Sequence, residues 1–256
     1  MINPIHKVLS TMQACQVRCL LMGGQACILY GGTEFSRDVD FAILASAGNL
    51  ARLRQALAEL KAGVIAVPPF EEQHLRHGHV VHFRCAHPEA LDLRIDVMSV
   101  LRRVDPFDVL WERRTSVELG SGLTADLLAL PDLVKAKKTQ RDKDWPMIRR
   151  LVEADYARSQ SQASEKQISF WICECRTAAI LMELAAHHPQ QVKNVEPMRP
   201  LLILARTGNE AELESALMAE ESEERQADRN YWQPLRRELE TLRHAKGNEV
   251  PETPTT

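Results

Sequence analysis

Two short apolar runs constrain this chain more than any other feature. The first, Leu20-Leu21-Met22, ends on the pair Gly23-Gly24. The second, Asp38-Val39-Asp40-Phe41-Ala42-Ile43-Leu44, opens on two aspartates separated by one valine. The alternation has the period of a strand, so Val39, Phe41 and Ile43 belong to one face and Asp38 and Asp40 to the other. A third carboxylate, Asp96, lies in Leu93-Arg94-Ile95-Asp96-Val97-Met98, where Asp92, Arg94 and Asp96 would share a face.

These residue types suit phosphate chemistry. Residues two apart on a strand have Cα atoms ~6.5–7 Å apart, which lets the Asp38 and Asp40 carboxylates converge on one or two Mg²⁺ ions. Asp96 on a neighbouring strand would complete the metal site and help deprotonate an acceptor hydroxyl. Two metals would activate that hydroxyl and stabilise a leaving pyrophosphate. Gly24 at a helix start would let triphosphate oxygens reach backbone N–H groups. Any half-solvated strand also alternates acidic with apolar residues. The conjunction of Gly-Gly, Asp-x-Asp and a later Asp96 is what points to a site for a nucleoside triphosphate.

Helices and strands alternate over the first hundred residues. Pro4–Ala14 reads as a helix, Val17–Met22 as a strand, Gly24–Tyr30 as a short helix and Asp38–Leu44 as a strand. Leu50, Leu53, Leu57 and Leu60 form the apolar stripe of a helix over Asn49–Lys61. Further strands are expected at Val64–Val67, His79–Arg84 and Leu91–Ser99, and a short helix at Phe107–Arg113. A hairpin is expected around Gly120-Ser121-Gly122, then helices from Leu130 to about Arg141 and from Asp144 to about Tyr156. Arg158–Lys166 reads as a polar linker, Gln167–Lys246 as helical, and Gly247–Thr256 as a disordered tail. Phe170, Trp171, Ile180, Leu181, Leu184, Leu201, Leu202 and Leu204 are its expected core, and Glu220–Glu224 an exposed acidic stretch. The expected fold class is α/β (α+β): a mixed sheet flanked by helices, then a helical C-terminal region. The expected division is a catalytic core over 1–105, a basic helical extension completing the nucleotide site over 106–157, helices over 158–246 and a tail over 247–256.

Composition narrows the function classes. Among 256 residues, 45% are hydrophobic and 26% charged, as in a globular protein that buries a large core. No apolar run approaches the ~20 residues of a membrane helix, and the N-terminus lacks the pattern of a secretory signal, so a cytoplasmic location is expected. The six cysteines have no Cys-x2-Cys spacing and read as reduced, buried thiols. A net charge of −3 argues against a general nucleic-acid binder. Charge is nevertheless polarised. Seven basic residues fall between Lys135 and Arg150, whereas from Tyr156 onward 12 Lys and Arg face 16 Asp and Glu. Lys137 and Arg141, four apart, would share a helix face aimed at one acidic partner. Asp144 is expected to cap the helix beginning at Trp145. His74, His77, His79 and His82 crowd into nine residues with His87 nearby. Gly78 interrupts a helix there, and no cysteine or carboxylate sits at ligand spacing, so these read as solvent-facing or hydrogen-bonding histidines.

The segment Met22-Gly23-Gly24 … Asp38-Val39-Asp40-Phe41 resembles the signature of the nucleotidyltransferase superfamily that includes DNA polymerase β. The spacer Gln25–Arg37 has thirteen residues, the long limit of that pattern, and Ile95-Asp96-Val97 is similar to the family's third-carboxylate strand. Gly23 to Gly31 and the segment Leu130-Pro131-Asp132-Leu133 … Lys137 … Arg141 … Asp144 look most like the AbiEii/MNT-type bacterial nucleotidyltransferases, many of them toxins. The resemblance spans about Leu20 to Val152. It implies a Mg²⁺- or Mn²⁺-dependent enzyme that transfers NMP from an NTP to an RNA, protein or small-molecule acceptor, releasing pyrophosphate, with an antitoxin as a possible partner. In those terms Asp38, Asp40 and Asp96 hold metal and carry catalysis, and Gly23, Gly24, Ser36, Arg37, Lys137 and Arg141 hold the nucleotide, with Lys138 competing for the role of Lys137. Glu34 departs from the pattern, standing where the family often has Arg. That departure supports an alternative, a non-catalytic protein of this fold that binds nucleotide or a partner and regulates. A toxin or antitoxin acting only through protein contacts has no positive sign in the sequence.

Overall fold

A computed structural model describes residues 3–32 and 36–248. Glu34 lies outside the described residues, as do residues 249–256 of the expected tail, whereas Gly247 and Asn248 belong to the last helix. The chain divides into two compact units. The described residues of the first are 3–26, 36–133 and 230–248, and those of the second are 27–32 and 134–229. The division falls near residue 133 and again near 229.

The first unit is organised around a seven-stranded mixed sheet. Its strands are β1 (Cys19–Met22), β2 (Asp38–Ile43), β3 (Ala62–Val64), β4 (Val81–Cys85), β5 (Arg94–Met98), β6 (Thr115–Glu118) and β7 (Thr124–Leu127), in the spatial order β3-β4-β5-β2-β1-β7-β6. β2 and β5 run parallel at the centre, and β1 lies antiparallel to β2. Val39, Phe41, Ile95, Val97 and Phe83, on the face away from the aspartates, are all 2% exposed or less. That apolar layer is why the alternating segments become strands. β6 and β7 form the expected hairpin across Gly120-Ser121-Gly122, with both glycines at positive φ. β3 ends at Val64 rather than reaching Val67. Ile65 still donates its N–H to the His82 carbonyl, but Pro68 and Pro69 have none to offer a ladder.

Helices flank the sheet: α1 (Pro4–Ala14), α2 (Gly23–Leu29), α3 (Ala47–Glu59), α4 (Glu72–His77), α5 (Phe107–Glu112) and α6 (Leu130–Ala136). Caps set two of their starts. Asn3 Oδ1 accepts from Ile5 N at 3.0 Å, and Ser46 Oγ accepts from Asn49 N. Asn49, 3% exposed, is satisfied by Arg18 N, Arg18 O and Leu44 O, which pins α3 beside β2.

The second unit is helical: α7 (Asp144–Ser159), α8 (Glu165–Glu174), α9 (Ala178–His187), α10 (Pro189–Val195), α11 (Leu202–Thr207) and the first part of α12 (Glu210–Asn248). Trp171, Leu181, Leu184 and Leu202 are buried as expected, and Ile180, Leu201 and Leu204 partly so. The Tyr156 and Trp171 rings meet edge-to-face at 5.1 Å. The end of the expected linker is a helix start. Ser164 Oγ accepts from Gln167 N while Gln167 Oε1 accepts from Ser164 N, a reciprocal cap that opens α8 at Glu165. The cysteines are free, four buried and two partly so. Among the described residues no helix is long and apolar enough to cross a membrane.

Candidate functional site

The register of β2 against β5 builds the site. Asp38 pairs with Arg94 and Asp40 with Asp96. Directly paired residues of neighbouring strands point to the same face, so the three carboxylates share one side of the sheet. β4 adds His82 opposite Asp96 and Arg84 opposite Arg94. The expectation that Asp96 faces the same way as Asp38 and Asp40 agrees with this register.

The two halves of the opening motif touch. β1 ends at Met22, which pairs with Asp40, and Gly23 then turns into α2 at φ +66°. A Cβ at Gly23 would lie 2.0 Å from Asp40 Oδ2 and 2.6 Å from its Cγ. Only glycine satisfies both the left-handed backbone and that approach. Gly24, next in the turn of α2, is buried. Gln25 Nε2 donates to the Ser36 carbonyl at 2.8 Å, and Ser36 Oγ donates to the Asp38 carbonyl at 3.1 Å. Ser36 therefore holds the start of β2 with the hydroxyl expected to meet a nucleotide. Arg37, beside it, is exposed.

Arg94 is the residue that the sequence reading passed over. It donates from Nε to Asp96 Oδ1 at 2.7 Å and from Nη2 to Asp96 Oδ2 at 2.9 Å, and His82 Nδ1 lies 2.8 Å from Oδ1. Burial pushes the Asp96 carboxyl up, but the hydrogen bonds and charges of His82 and Arg94 bring it below its ordinary value. The hydrogen bond to Asp96 raises the Arg94 guanidinium most, and Asp38 and Asp40 add to it through their charge. Its signal was present: Arg94 stands two residues before Asp96 on the same strand face.

This geometry decides which groups fit a hard divalent cation. Asp38 and Asp40 are partly exposed oxygen donors on one face, and the Gly23 backbone packs against the Asp40 carboxylate. They fit Mg²⁺, which takes one or two carboxylates with substrate phosphates and water. Asp96 does not fit as a third ligand, or as a base, while both of its oxygens are engaged by Arg94. Consistently, Asp38, Asp40 and Asp96 do not form a group whose ligand atoms lie within 4.8 Å of one another.

Lys137, Lys138 and Arg141 sit in the second unit and answer to internal partners. α6 stops at Ala136, short of the expected Arg141. Lys137 Nζ then bonds Asp144 Oδ1 at 3.0 Å, and Arg141 Nε bonds Asp144 Oδ2 at 2.8 Å. Lys138 Nζ lies 2.6 Å from Glu174 Oε2. Lys137 and Arg141 do meet at one carboxylate, that of Asp144 in the same segment, but beyond the end of α6 and not across a shared face of it. Asp144 itself is not a helix cap. It is the first residue of α7, 0% exposed, with Thr139 Oγ1 also donating to it. Burial raises this carboxyl, and Lys137, Arg141 and Thr139 outweigh that to leave it below its ordinary value.

Two further expectations are corrected. Glu220 is not exposed. Its carboxylate takes Arg176 at 2.7 Å and Arg199 at 2.8 Å, and Arg199 also donates to the carbonyls of Ile172 and Cys175. His74 and His77 lie together in α4, because Gly78 ends that helix at φ +100° instead of interrupting it. His79 precedes β4 and is 2% exposed. A carboxylate does reach these histidines: Glu238 of α12 lies 3.0 Å from His77 Nδ1 and 2.8 Å from His79 Nε2.

No protein-family model matches the chain, and no curated protein matches it.

Proposed function

We propose that this chain is a Mg²⁺- or Mn²⁺-dependent nucleotidyltransferase. The observation that carries the reading is the contact between Gly23 and the Asp40 carboxylate, which unites the glycine turn and the Asp-x-Asp strand in one site. In this reading Asp38 and Asp40 hold the cation, and the Gly23-Gly24 backbone and Arg37 face the triphosphate of an NTP. The acceptor oxygen bonds to the α-phosphorus, the bond to the bridging oxygen breaks, and pyrophosphate leaves with the electron pair. Mg²⁺, when bound, supplies the positive charge that stabilises that leaving group. A guanidinium fork suits phosphate as well as carboxylate. Arg94 turning from Asp96 to the nucleotide would free Asp96 to take the acceptor proton. Lys137 and Arg141 receive a structural part here, because Asp144 takes both. The acceptor is RNA, protein or a small molecule, and the similarity to toxin-type enzymes favours the first two and a proteinaceous antitoxin.

The same Arg94 clamp favours one second reading, a non-catalytic nucleotide or partner sensor on this fold, with Asp96 permanently occupied. Incubating the full chain with each α-labelled NTP, Mg²⁺ or Mn²⁺, and RNA, protein or small-molecule fractions distinguishes the two. Label transfer is expected, and Asp38→Ala with Asp40→Ala should lower it ~10³-fold, the several kcal/mol that a catalytic metal site supplies. Gly23→Ala, which drives a methyl into Asp40, should fall with them. NTP binding without transfer establishes the nucleotide sensor; neither binding nor transfer sinks the enzyme and the nucleotide sensor alike.

A further inference from the structure

The histidine cluster at the edge of the first unit is the second place where metal-binding side chains converge. It rests on none of the nucleotidyl-transfer reading. His77 ends α4, Gly78 reverses the chain at φ +100°, and His79 follows. Glu238 comes from α12, 159 residues beyond His79 in sequence. One carboxylate oxygen, Glu238 Oε2, meets both imidazoles, at 3.0 and 2.8 Å. Among the described residues, this trio alone gathers three His, Cys, Asp or Glu ligand atoms within 4.8 Å of one another.

We propose that His77, His79 and Glu238 form a binding site for a borderline first-row divalent cation of the Zn²⁺ type. Two imidazole nitrogens and one carboxylate oxygen are the donor set such an ion prefers, and a poor set for Mg²⁺ or Ca²⁺. Bonds of ~2.0–2.1 Å in a tetrahedron place ligand atoms ~3.3–3.4 Å apart, so the two spacings from Glu238 Oε2 need widen only slightly. Access is provided by an open cleft of about 650 Å³ lined by the trio with Gln73, His74, Arg76, Thr241 and Leu242. The His74 ring packs edge-on against His79 at 5.9 Å and is near enough to Glu71, at 3.8 Å, to be oriented by it. His79 is almost wholly buried and so held in place, whereas His77 is exposed, as expected of a site that an ion enters from solvent. Bound metal would join α4 to the last turns of α12, elements far apart in sequence, and so stabilise that corner of the unit.

The full chain, stripped by chelator and titrated with Zn²⁺, should bind one equivalent outside the aspartate face and gain thermal stability in proportion to the logarithm of free metal. Co²⁺ should give the visible absorption of a low-coordinate nitrogen and oxygen site. His77→Ala, at an exposed position that folding tolerates, should weaken Zn²⁺ at least ~100-fold, beyond what loss of an outer-shell partner costs. Glu238→Gln should do the same, while Asp38→Ala/Asp40→Ala should leave this site unchanged. Absence of saturable Zn²⁺ binding overturns the proposal and leaves two histidines hydrogen-bonded to a carboxylate. So does binding that survives both His77→Ala and Glu238→Gln.

Discussion

The sheet face around Asp38, Asp40 and Asp96 and the helical hub around Asp144 contain the same chemistry, carboxylates beside guanidinium and ammonium groups, with opposite consequences. On the sheet, Asp96 is clamped by Arg94, and Asp38, Asp40 and the Arg94 side chain remain partly exposed. In the hub, Asp144 is fully enclosed and takes Lys137, Arg141 and Thr139, and both of its oxygens are used to hold the chain. Nearby, Glu220 is shared by Arg176 and Arg199 in the same manner. Partly exposed carboxylates on a strand pair are what a cation can exploit. A saturated buried network is what a fold needs where a helix stops and the chain must turn.

The largest effect that would break this contrast lies in the hub. Asp144→Ala leaves Lys137, whose side chain is 6% exposed, as a buried charge without its carboxylate, and should cost ~3–5 kcal/mol. Urea unfolding followed by the fluorescence of Trp145 and Trp171, both in this unit, reads it directly. A Lys137→Met/Asp144→Leu pair should recover most of the loss, since an apolar pair of similar volume is often neutral. If Asp144→Ala is silent for stability but removes nucleotide transfer, Lys137 belongs to the nucleotide after all, and the two regions are one kind of site.

The Arg94 position sharpens the contrast from the other side. Arg94→Ala removes the counter-charge from a carboxylate face that retains Asp38, Asp40 and Asp96. A unit charge a few ångströms away is worth ~1–4 kcal/mol at the effective dielectric of a protein surface, so Mn²⁺ affinity without nucleotide should rise at least ~10-fold. Affinity for NTP should fall if Arg94 moves to the triphosphate. Paramagnetic relaxation by Mn²⁺ measures the first and equilibrium dialysis the second. Unchanged Mn²⁺ affinity would mean that the three carboxylates do not act on one cation.

Legibility in the sequence divides along the same line. The sheet was legible because strand periodicity is local: Val39 and Phe41 alternate with Asp38 and Asp40, and Ile95 and Val97 with Arg94 and Asp96, so the faces followed before the strands were paired. The glycine turn was legible for a similar reason, although not its contact with Asp40. The partners of buried charges were not legible. Lys137 read as a helix cation aimed, with Arg141, at an acidic ligand, because its pairing with Asp144 depends on α6 having ended. Asp144 read as a cap because Asp-Trp-Pro is a helix-start pattern, whatever its carboxylate later binds. Glu220 stood in a run of acids whose counter-ions, Arg176 and Arg199, are more than twenty residues upstream. Glu238 carries no local mark of its histidines at all.

The smallest expected effect is the dependence on acid. The ordinary value for Asp144 is 3.8, and its folded value is lower. As pH falls, the unfolded chain therefore takes up this proton first. The stability contributed by Asp144 is fully present above its ordinary value and is lost as pH drops through the folded one. Glu220, ordinarily 4.5 and also lowered, behaves alike through Arg199 and Arg176, despite its own burial. Between pH 7 and 5 the urea midpoint of the helical unit should be flat with respect to these groups, and below about pH 4 it should fall. Asp144→Asn, less stable at neutral pH, should fall less steeply, so that its curve approaches the wild-type curve in acid, where both carry a neutral group. Parallel curves down to the acid limit would mean that Asp144 titrates alike in the folded and unfolded chain, and that its charge adds nothing to the stability of the hub.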